Sequence, residues 1–148
     1  CINDIGDEIL PGSTNDYLAA VLHPGFLNSQ TSRFTYERNK KSIFYIPFSE
    51  GTNYFQGCFI GGRSKEFMKM SEELDILIDV DLKNGIIPIW WDESALNWYY
   101  WKRNPLKIDP HYAFPENHDY EGTSQDKTII LNRDKTNFGG HDFLRKEN

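Results

Sequence analysis

The sequence is poor in cysteine, in long apolar runs and in basic residues. Cys1 and Cys58 are its two cysteines, and their separation predicts neither a disulfide framework nor a zinc site, so a reducing compartment fits. No apolar run approaches the ~20 residues of a membrane helix, and no signal-peptide pattern is present. Sixteen basic against twenty-two acidic residues give a net charge of −6, which argues against nucleic acid or an anionic membrane surface as a partner.

Aromatic residues, in contrast, are abundant. The 148 residues are 15 % aromatic and 39 % hydrophobic, enough apolar material for the core of one domain. All four tryptophans lie in "IPIWWDESALNWYYW", Ile87 to Trp101, together with the acid pair Asp92-Glu93. Because tryptophan is costly to leave in water, this stretch predicts either a core or a surface on which a flat ligand stacks.

The hydrophobic pattern predicts an α/β chain without internal repeats. An amphipathic pattern from Phe67 to Ile78 predicts a helix of roughly four turns. Asp92 is the predicted N-cap of a second helix that runs from Glu93 towards Arg103 and stops at Pro105. The alternation of strand and helix patterns favours an α/β fold.

The remaining segments give shorter predictions. "NDYLAAVL" (15–22) predicts one or two helical turns capped by Asn15 or Asp16. Aromatic and β-branched stretches predict strands at 42–48, 53–62, 85–91 and 128–132. Extended chain is expected at 106–116, a polar loop at 115–128, and a mobile basic tail at 130–148.

Asp92-Glu93 is the strongest candidate for chemistry. An acid pair at a helix start usually only caps the helix and compensates its dipole. Carboxylates among tryptophans, however, are poorly hydrated, which raises the free-energy cost of keeping each one charged. Neighbours in sequence point in different directions. The pair therefore does not form the facing carboxylates of a glycosidase, and one of the two is the reacting group.

Other local patterns predict structure rather than chemistry. Asp79-Val80-Asp81 has the DxD form that holds a divalent metal in many nucleotide-sugar enzymes, but it falls at the C-terminal end of the predicted helix. "FIGGRSKEF" (59–67) resembles a phosphate-binding turn without the spacing of a known fingerprint, so it predicts a strand-to-helix turn. His23, taken alone, is a turn or core histidine, and the histidines have no metal-ligand spacing.

Several motifs taken together resemble glycosyltransferase family 6, the family of the ABO blood-group transferases, α-1,3-galactosyltransferase and bacterial and viral relatives. They occur in the family's order and cover nearly the whole chain: "HPGF" (23–26), "FTYERNKKSIFYIPFSEG" (34–51), "YFQGCFIGG" (54–62), "NGI" (84–86), "WWDESALNWYY" (90–100) and "NPLKIDPHY" (104–112). The resemblance implies a GT-A fold and retaining transfer of galactose or N-acetylgalactosamine from a UDP-sugar to a galactose 3-hydroxyl, on an oligosaccharide acceptor of fucosylated, histo-blood-group type.

The resemblance also implies roles for individual residues. Glu93 falls on the glutamate that acts as nucleophile or stabilises the oxocarbenium-like transition state, Asp92 on the aspartate that holds donor-sugar hydroxyls, and Trp90 on the tryptophan that packs on the acceptor. Acceptor contacts are implied for His23, Thr35 and Glu116, and donor selection for Gln56, Gly57 and Cys58. A C-terminal lysine and arginine that close over the UDP diphosphate are implied at Lys135 and Arg145, with Arg133 as an alternative.

The chain departs from the family pattern at several positions. Trp91 and Ala95 stand where the family usually has histidines, and neither the metal-binding DxD of animal members nor the N-x-N of bacterial members precedes His23. The expectation is therefore a chain of the bacterial and viral branch that lacks its first strands and helices and is inactive, or nearly so, by itself. Such an enzyme needs no metal, whereas an upstream DxD would mean Mn²⁺.

Two competing readings remain at this point. The first is a non-catalytic carbohydrate-binding module, in which the tryptophans stack on sugar faces, and the second is an inactive fragment. The expected location is the cytoplasm for a bacterial-type enzyme and the Golgi lumen for an animal-type one.

Overall fold

The computed structural model describes residues 5–120 and 125–140. Two α-helices are present in these ranges, α1 (Ser64–Lys83) and α2 (Trp91–Trp101). The strands are β1 (Leu18–Leu22), β2 (Phe55–Gly62), β3 (Leu106–Ile108), β4 (Phe114–Pro115) and β5 (Leu131–Asn132). Short 3-10 turns lie at Asp7–Ile9, Ser13–Asn15, Pro24–Phe26, Thr31–Arg33, Pro110–Tyr112, Gln125–Lys127 and Lys135–Phe138.

The larger sheet has β1 at its centre. β2 pairs with β1 antiparallel, and β3 pairs with it parallel, so the order is β2-β1-β3. β4 and β5 form a separate parallel pair. Mixed strands and helices confirm the α/β prediction at the level of fold class.

The prediction of a helix at 15–22 is wrong, because this segment contains strand β1. "LAAVL" is rich in leucine and alanine, which favour helix, but partners on both sides pair with it over long sequence separations. Its residues Leu18 to Val21 are fully buried. The pairing and the burial of both faces therefore override the local helix propensity.

The predicted amphipathic helix is confirmed as α1. Met70 and Leu74 on its inner face pack with Leu96 and Tyr100 of α2 in the main core cluster, which also contains Phe44. Leu96, Tyr99 and Tyr100, at helical spacing on α2, are all buried in this cluster. α1 and α2 together cover the part of the sheet that carries β2.

The predicted strands at 42–48 and 85–91 are wrong, because both segments are turns and irregular chain. Buried carboxylates hold each one in place. Asp81 accepts hydrogen bonds from the Ser42 hydroxyl at 2.5 Å and from the Ile43 amide at 3.0 Å. Glu37 accepts from the Ile89 amide at 2.8 Å. Side chains thus satisfy backbone groups that a sheet partner would otherwise bind.

Helix α2 begins two residues earlier than expected. Its N-cap is Trp90, not Asp92, and Asp92 lies within the first turn. The Trp90 amide donates to Ser94 Oγ at 3.1 Å, while Trp91 has φ +47°, a left-handed conformation that is unusual for a bulky residue. Neither α2 nor any other helix in the described ranges is long and apolar enough to cross a bilayer.

Candidate active site

The Glu93 carboxylate is held by a hydrogen bond to each of its oxygens. The Tyr54 hydroxyl donates to Oε1 and the Gly57 amide donates to Oε2, both at 2.9 Å. Glu93 is half-buried, so the carboxylate has both fixed donors and an open side. Two donors on different oxygens fix the plane of a carboxylate, which is the arrangement of a preorganised charge.

The backbone beneath Glu93 is fixed by Asn97. Its amide group donates to the Phe55 carbonyl at 2.8 Å and to the Glu93 carbonyl at 2.9 Å, and its Oδ1 accepts from the Phe55 amide at 2.9 Å. Glu93 and Asn97 lie four residues apart on one face of α2, since side chains at i and i+4 share a helix face. They bind the amides of Gly57 and Phe55, which are two residues apart on β2. This match sets the register of α2 along β2.

An irregularity in the sheet makes the Gly57 amide available. Ala20 pairs with Ile60 and Leu22 with Phe55, so residues 56–59 of β2 lie opposite Val21 alone. Bulges of this kind are frequent near active sites because they redirect side chains and free backbone groups. The bulge holds all three residues predicted to select the donor sugar, which are Gln56, Gly57 and Cys58.

Asp92 and Glu93 do not point away from each other, contrary to the sequence-based expectation. A Cβ placed on Gly57 would lie 3.7 Å from Asp92 Oδ2 and 3.6 Å from Glu93 Oε2. The glycine has no side chain, and two carboxylates in the first helical turn can both reach the space beside it. Asp92 is exposed and Glu93 is half-buried, so Asp92 remains the better placed of the two for solvent-facing ligand hydroxyls.

The tryptophans do not enclose the acid pair as expected. Trp90 is 48 % exposed and Trp91 is 62 % exposed, whereas Trp98 and Trp101 pack against buried clusters. The aromatic neighbour of the Glu93 carboxylate is Tyr54, not a tryptophan. The tryptophan cluster thus divides into a surface pair beside the site and a packing pair behind it.

Tyr54 connects Glu93 to two predicted acceptor residues. Thr35 hydrogen-bonds to its hydroxyl, and the ring of His23 meets the Tyr54 ring edge-on at 5.8 Å. Burial raises the pKa of Tyr54, the bond from Thr35 lowers it, and the Glu93 charge raises it again, with a net rise. Burial also lowers the pKa of His23, whose Nδ1 accepts from the Gly25 amide at 3.1 Å.

A polar cleft of about 510 Å³ opens on the other side of the bulge. It is lined by Gln56, Cys58, Pro115, Glu116, His118, Asn132, Arg133, Asp134 and Lys135. Its volume is typical of a small-molecule site. Gln56 Oε1 is buried and has no hydrogen-bond partner among the described residues. The Cys58 thiol, which accepts from Asn132 at 3.3 Å, has a pKa raised by burial and further by Glu93.

Glu116 organises the opposite wall of the polar cleft. Its carboxylate accepts from the Asp134 amide at 2.8 Å and from Arg133 Nε at 3.1 Å. These bonds, the amide bond first, lower the pKa of Glu116. β4 and β5 pair just before this wall, and the Glu116 amide donates to the Asn132 carbonyl. Glu116 is thus committed to holding Arg133 and Asp134 beside the cleft.

Comparisons with known proteins place this arrangement in a family. The family description "Glycosyltransferase family 6" matches residues 2–138. The chain belongs to glycosyltransferase family 6. It is 33 % identical to the O-antigen biosynthesis glycosyltransferase WbnI of Escherichia coli over 129 residues, which cover 87 % of this chain and 53 % of that protein.

Animal members of family 6 are similar as well. Histo-blood group ABO system transferase 1 of Rattus norvegicus is 39 % identical over 113 residues, covering 76 % of this chain and 31 % of that protein. Globoside alpha-1,3-N-acetylgalactosaminyltransferase 1 of Gallus gallus is 35 % identical over 100 residues, covering 67 % of this chain and 29 % of that protein. The chain thus spans about half the length of the bacterial relative and about a third of the animal ones.

The structure brings most of the predicted family 6 site residues to one region, around β2 and the first turn of α2. The Gly57 amide binds Glu93, and the Asp92 carboxylate reaches the space beside Gly57. His23 and Thr35 reach Glu93 through Tyr54, and Gln56, Cys58, Glu116, Arg133 and Lys135 line the polar cleft. Arg145 lies outside the described residues, as does the rest of the predicted tail from residue 141 onward.

The Asp79-Val80-Asp81 motif lies in helix α1, as predicted, and its carboxylates have separate structural partners. Asp79 pairs with Lys83 at 3.6 Å on the surface, whereas Asp81 is buried against Ser42 and Ile43. These two side chains do not fit a shared metal ion. No group of three or more potential ligands gathers within residues 5–120 and 125–140, and no step is assigned to a metal here.

Sequence reasoning assigned no role to three residues that shape the site. Asn97 had a usable signal, because it lies four residues after Glu93 on the same helix face. Tyr54 and Glu37 had none, since they reach Glu93 and Ile89 across 39 and 52 residues of chain. Both contacts exist only once the fold brings the segments together.

Proposed function

We propose that this protein is a retaining hexosyltransferase of the GT-A fold, which moves galactose or N-acetylgalactosamine from a UDP-sugar to the 3-hydroxyl of a galactoside acceptor. The observation that carries the proposal is the Glu93 carboxylate, oriented by Tyr54 and Gly57 beside a polar cleft of sugar-nucleotide size. Family membership supplies the class of reaction. The activity is proposed for the whole protein.

Glu93 is the proposed catalytic residue. As the bond between the anomeric carbon and the UDP oxygen breaks, its electron pair leaves with UDP and positive charge develops on the sugar. The fixed carboxylate stabilises that charge, or attacks the anomeric carbon as nucleophile, at little reorganisation cost. The acceptor 3-hydroxyl oxygen then forms the new bond on the face that UDP left, and the proton of that hydroxyl goes to the departing phosphate. Where Glu93 has attacked, the bond between its carboxylate and the anomeric carbon breaks in this step and the electron pair returns to the carboxylate.

The proposed ligand positions follow the residue pattern of the family. Donor contacts are assigned to Asp92, Gln56, Gly57 and Cys58, with Lys135 and Arg145, or Arg133, at the diphosphate. Acceptor contacts are assigned to His23, Thr35, Trp90 and Glu116. The acceptor class is a fucosylated, histo-blood-group-like galactoside. The proposed location is the cytoplasm, with the Golgi lumen as the alternative.

A donor and acceptor panel tests the proposal. The protein, expressed from its complete reading frame, is incubated with UDP-galactose or UDP-N-acetylgalactosamine and with matched galactosides that carry or lack fucose. We expect an α-1,3-linked product, assigned by NMR, from at least one pair. A parallel series with EDTA and with added Mn²⁺ determines metal dependence. Absence of transfer and of donor hydrolysis with both sugars, or a β-linked product, would overturn the proposal.

The exposed Trp90 and Trp91 favour one second candidate, a carbohydrate-binding module without catalysis. Exposed indoles beside carboxylates bind sugar faces and hydroxyls. Calorimetric titration of the acceptor, run beside the transfer assay, separates the two functions. Sugar binding with no turnover under every donor condition would favour the binding module.

A further inference from the structure

We propose that Tyr54 is a positioning residue, whose hydroxyl fixes the orientation of the Glu93 carboxylate for transfer. This inference rests on the proposed function and adds a residue to its machinery. Tyr54 is 2 % exposed, and its hydroxyl donates to Glu93 Oε1 at 2.9 Å. It comes just before the bulge of β2, 39 residues from Glu93 along the chain.

The Tyr54 ring is held by packing. It stacks on Tyr36 with centroids 5.4 Å apart and 26° between planes, and it contacts Phe26 at 4.6 Å and Phe34 at 6.0 Å. Three of these four rings, together with Ile46, form one buried cluster that Phe26 borders. Aromatic side chains packed in this way have few accessible rotamers. The hydroxyl therefore occupies a fixed point in space, whatever the state of Glu93.

Glu93, in contrast, has a long side chain in the first turn of a helix, where it could sample several rotamers. The Gly57 amide restrains Oε2 alone, and a carboxylate held at one oxygen can still rotate about that bond. The bond from Tyr54 restrains the second oxygen. Tyr54 thus acts on Glu93 and not the reverse, and each carboxylate oxygen keeps a lone pair for the sugar.

Tyr54 acts as a donor that keeps its proton. Burial raises its pKa, and the adjacent Glu93 charge adds to the rise, so the phenol stays neutral in the working range and no proton transfer is assigned to it. Its contribution is that of one hydrogen bond to a charged group, which corresponds to about tenfold to a hundredfold in rate.

The test compares Tyr54→Phe with Tyr36→Phe. Tyr36 lies in the same cluster and its hydroxyl also makes a buried hydrogen bond, but to the Asn53 carbonyl, away from Glu93. We expect Tyr54→Phe to lower kcat about tenfold to a hundredfold, with the KM of donor and of acceptor changed less than about twofold. Tyr36→Phe should leave kcat unchanged.

Hydrolysis of the UDP-sugar without acceptor separates positioning from acceptor binding. A positioning role predicts that Tyr54→Phe lowers hydrolysis by the same factor as transfer. If transfer falls through a higher acceptor KM while hydrolysis is unchanged, Tyr54 is an acceptor contact and the inference is overturned. An equal loss of activity in both variants would likewise overturn it, because packing would then be the cause.

A structural measurement keeps the inference testable if the wild-type protein turns over no UDP-sugar. In crystal structures, Glu93 should keep one conformer in the wild type and in Tyr36→Phe, and should adopt another or several in Tyr54→Phe. An unchanged Glu93 in Tyr54→Phe would contradict the positioning role. If none of these three proteins transfers sugar but the Glu93 conformation still changes in Tyr54→Phe, the positioning role is supported and the proposed transfer function is wrong.

Discussion

Beside the polar cleft, Glu93 is held by the buried Tyr54, the half-buried Gly57 amide and, through its backbone, the buried Asn97. Glu116, which lines the cleft, is held by the exposed Arg133 and the half-buried Asp134 amide. Buried hydrogen bonds fix geometry and resist salt, whereas exposed ion pairs are screened and weak. The comparison indicates a rigid wall around Glu93, formed by Tyr54, Gly57 and Asn97, and a more adjustable wall around Glu116, formed with Arg133 and Asp134.

The largest expected effect follows from removing the charge on the rigid wall. Glu93→Gln keeps the shape of the side chain and should lower transfer by about 10² to 10⁴, while acceptor binding and the thermal midpoint change little. Steady-state transfer kinetics and calorimetric acceptor titration check this. Asp92→Asn, the neighbouring matched change, should act mainly through the donor KM. A loss that is larger in Asp92→Asn than in Glu93→Gln would reverse the assigned roles.

Asn97→Leu tests whether the rigid wall is held by hydrogen bonds or by packing alone. It leaves the Phe55 amide and carbonyl without their side-chain partner, which should cost about 2–5 kcal/mol in the free energy of unfolding, measured with urea. Asn97→Asp keeps an acceptor for the Phe55 amide but places a carboxylate oxygen against the Phe55 and Glu93 carbonyls, so its loss should become smaller at low pH, where the protonated carboxyl can donate. Equal stability of Asn97→Leu and the wild type would show that packing suffices.

Trp91 gives a smaller effect at the edge of the rigid wall. Its φ of +47° is a left-handed conformation that raises the conformational free energy of any residue with a Cβ. Trp91→Gly should therefore be more stable than Trp91→Ala by about 1 kcal/mol, although alanine favours helix. Urea unfolding of the two variants measures this difference directly. A more stable Trp91→Ala would mean that the backbone at this position is not strained.

The smallest effect is expected on the adjustable wall. The lowered pKa of Glu116 means that its bonds stabilise the fold above pH 4.5, its ordinary value, and that this stability is lost as pH falls through the lower folded value. Glu116→Gln should therefore flatten the decline of the thermal midpoint below pH 4.5. Glu72→Gln, at an exposed carboxylate on α1, serves as the control and should not. If the thermal midpoint of Glu116→Gln falls with pH as it does in the wild type, the bonds of Glu116 do not stabilise the adjustable wall.

The sequence alone predicts the elements that have a strong local pattern and misses those that depend on distant contacts. Helix α1 was predictable because apolar residues recur at helical spacing from Phe67 to Ile78, and β2 because it is aromatic and β-branched. β1 was not, since only pairing with distant strands makes "LAAVL" extended. The prediction of a strand at 85–91 is wrong for a related reason. Its apolar residues predict a strand, but the buried Glu37 binds the Ile89 amide and the chain turns there.

Within the candidate site, local motifs predicted the residues proposed to react or bind but not the residues that support them. Asp92, Glu93 and the Gln56 to Cys58 segment stand out in short motifs, and the structure brings them together. The orientation of Glu93 depends on Tyr54, and the exposure of Trp90 and Trp91 depends on a turn that the sequence misassigned. Long-range contacts of this kind leave no local periodicity to read.

The most direct test of the central claim is a crystal structure of the Glu93→Gln protein with an intact UDP-sugar. The account predicts that the anomeric carbon lies about 3–4 Å from the side-chain oxygen or nitrogen of residue 93, with the sugar beside Gly57 and the diphosphate towards Arg133 and Lys135. A sugar bound outside contact with residue 93, or a diphosphate at the Trp90 and Trp91 surface, would contradict it.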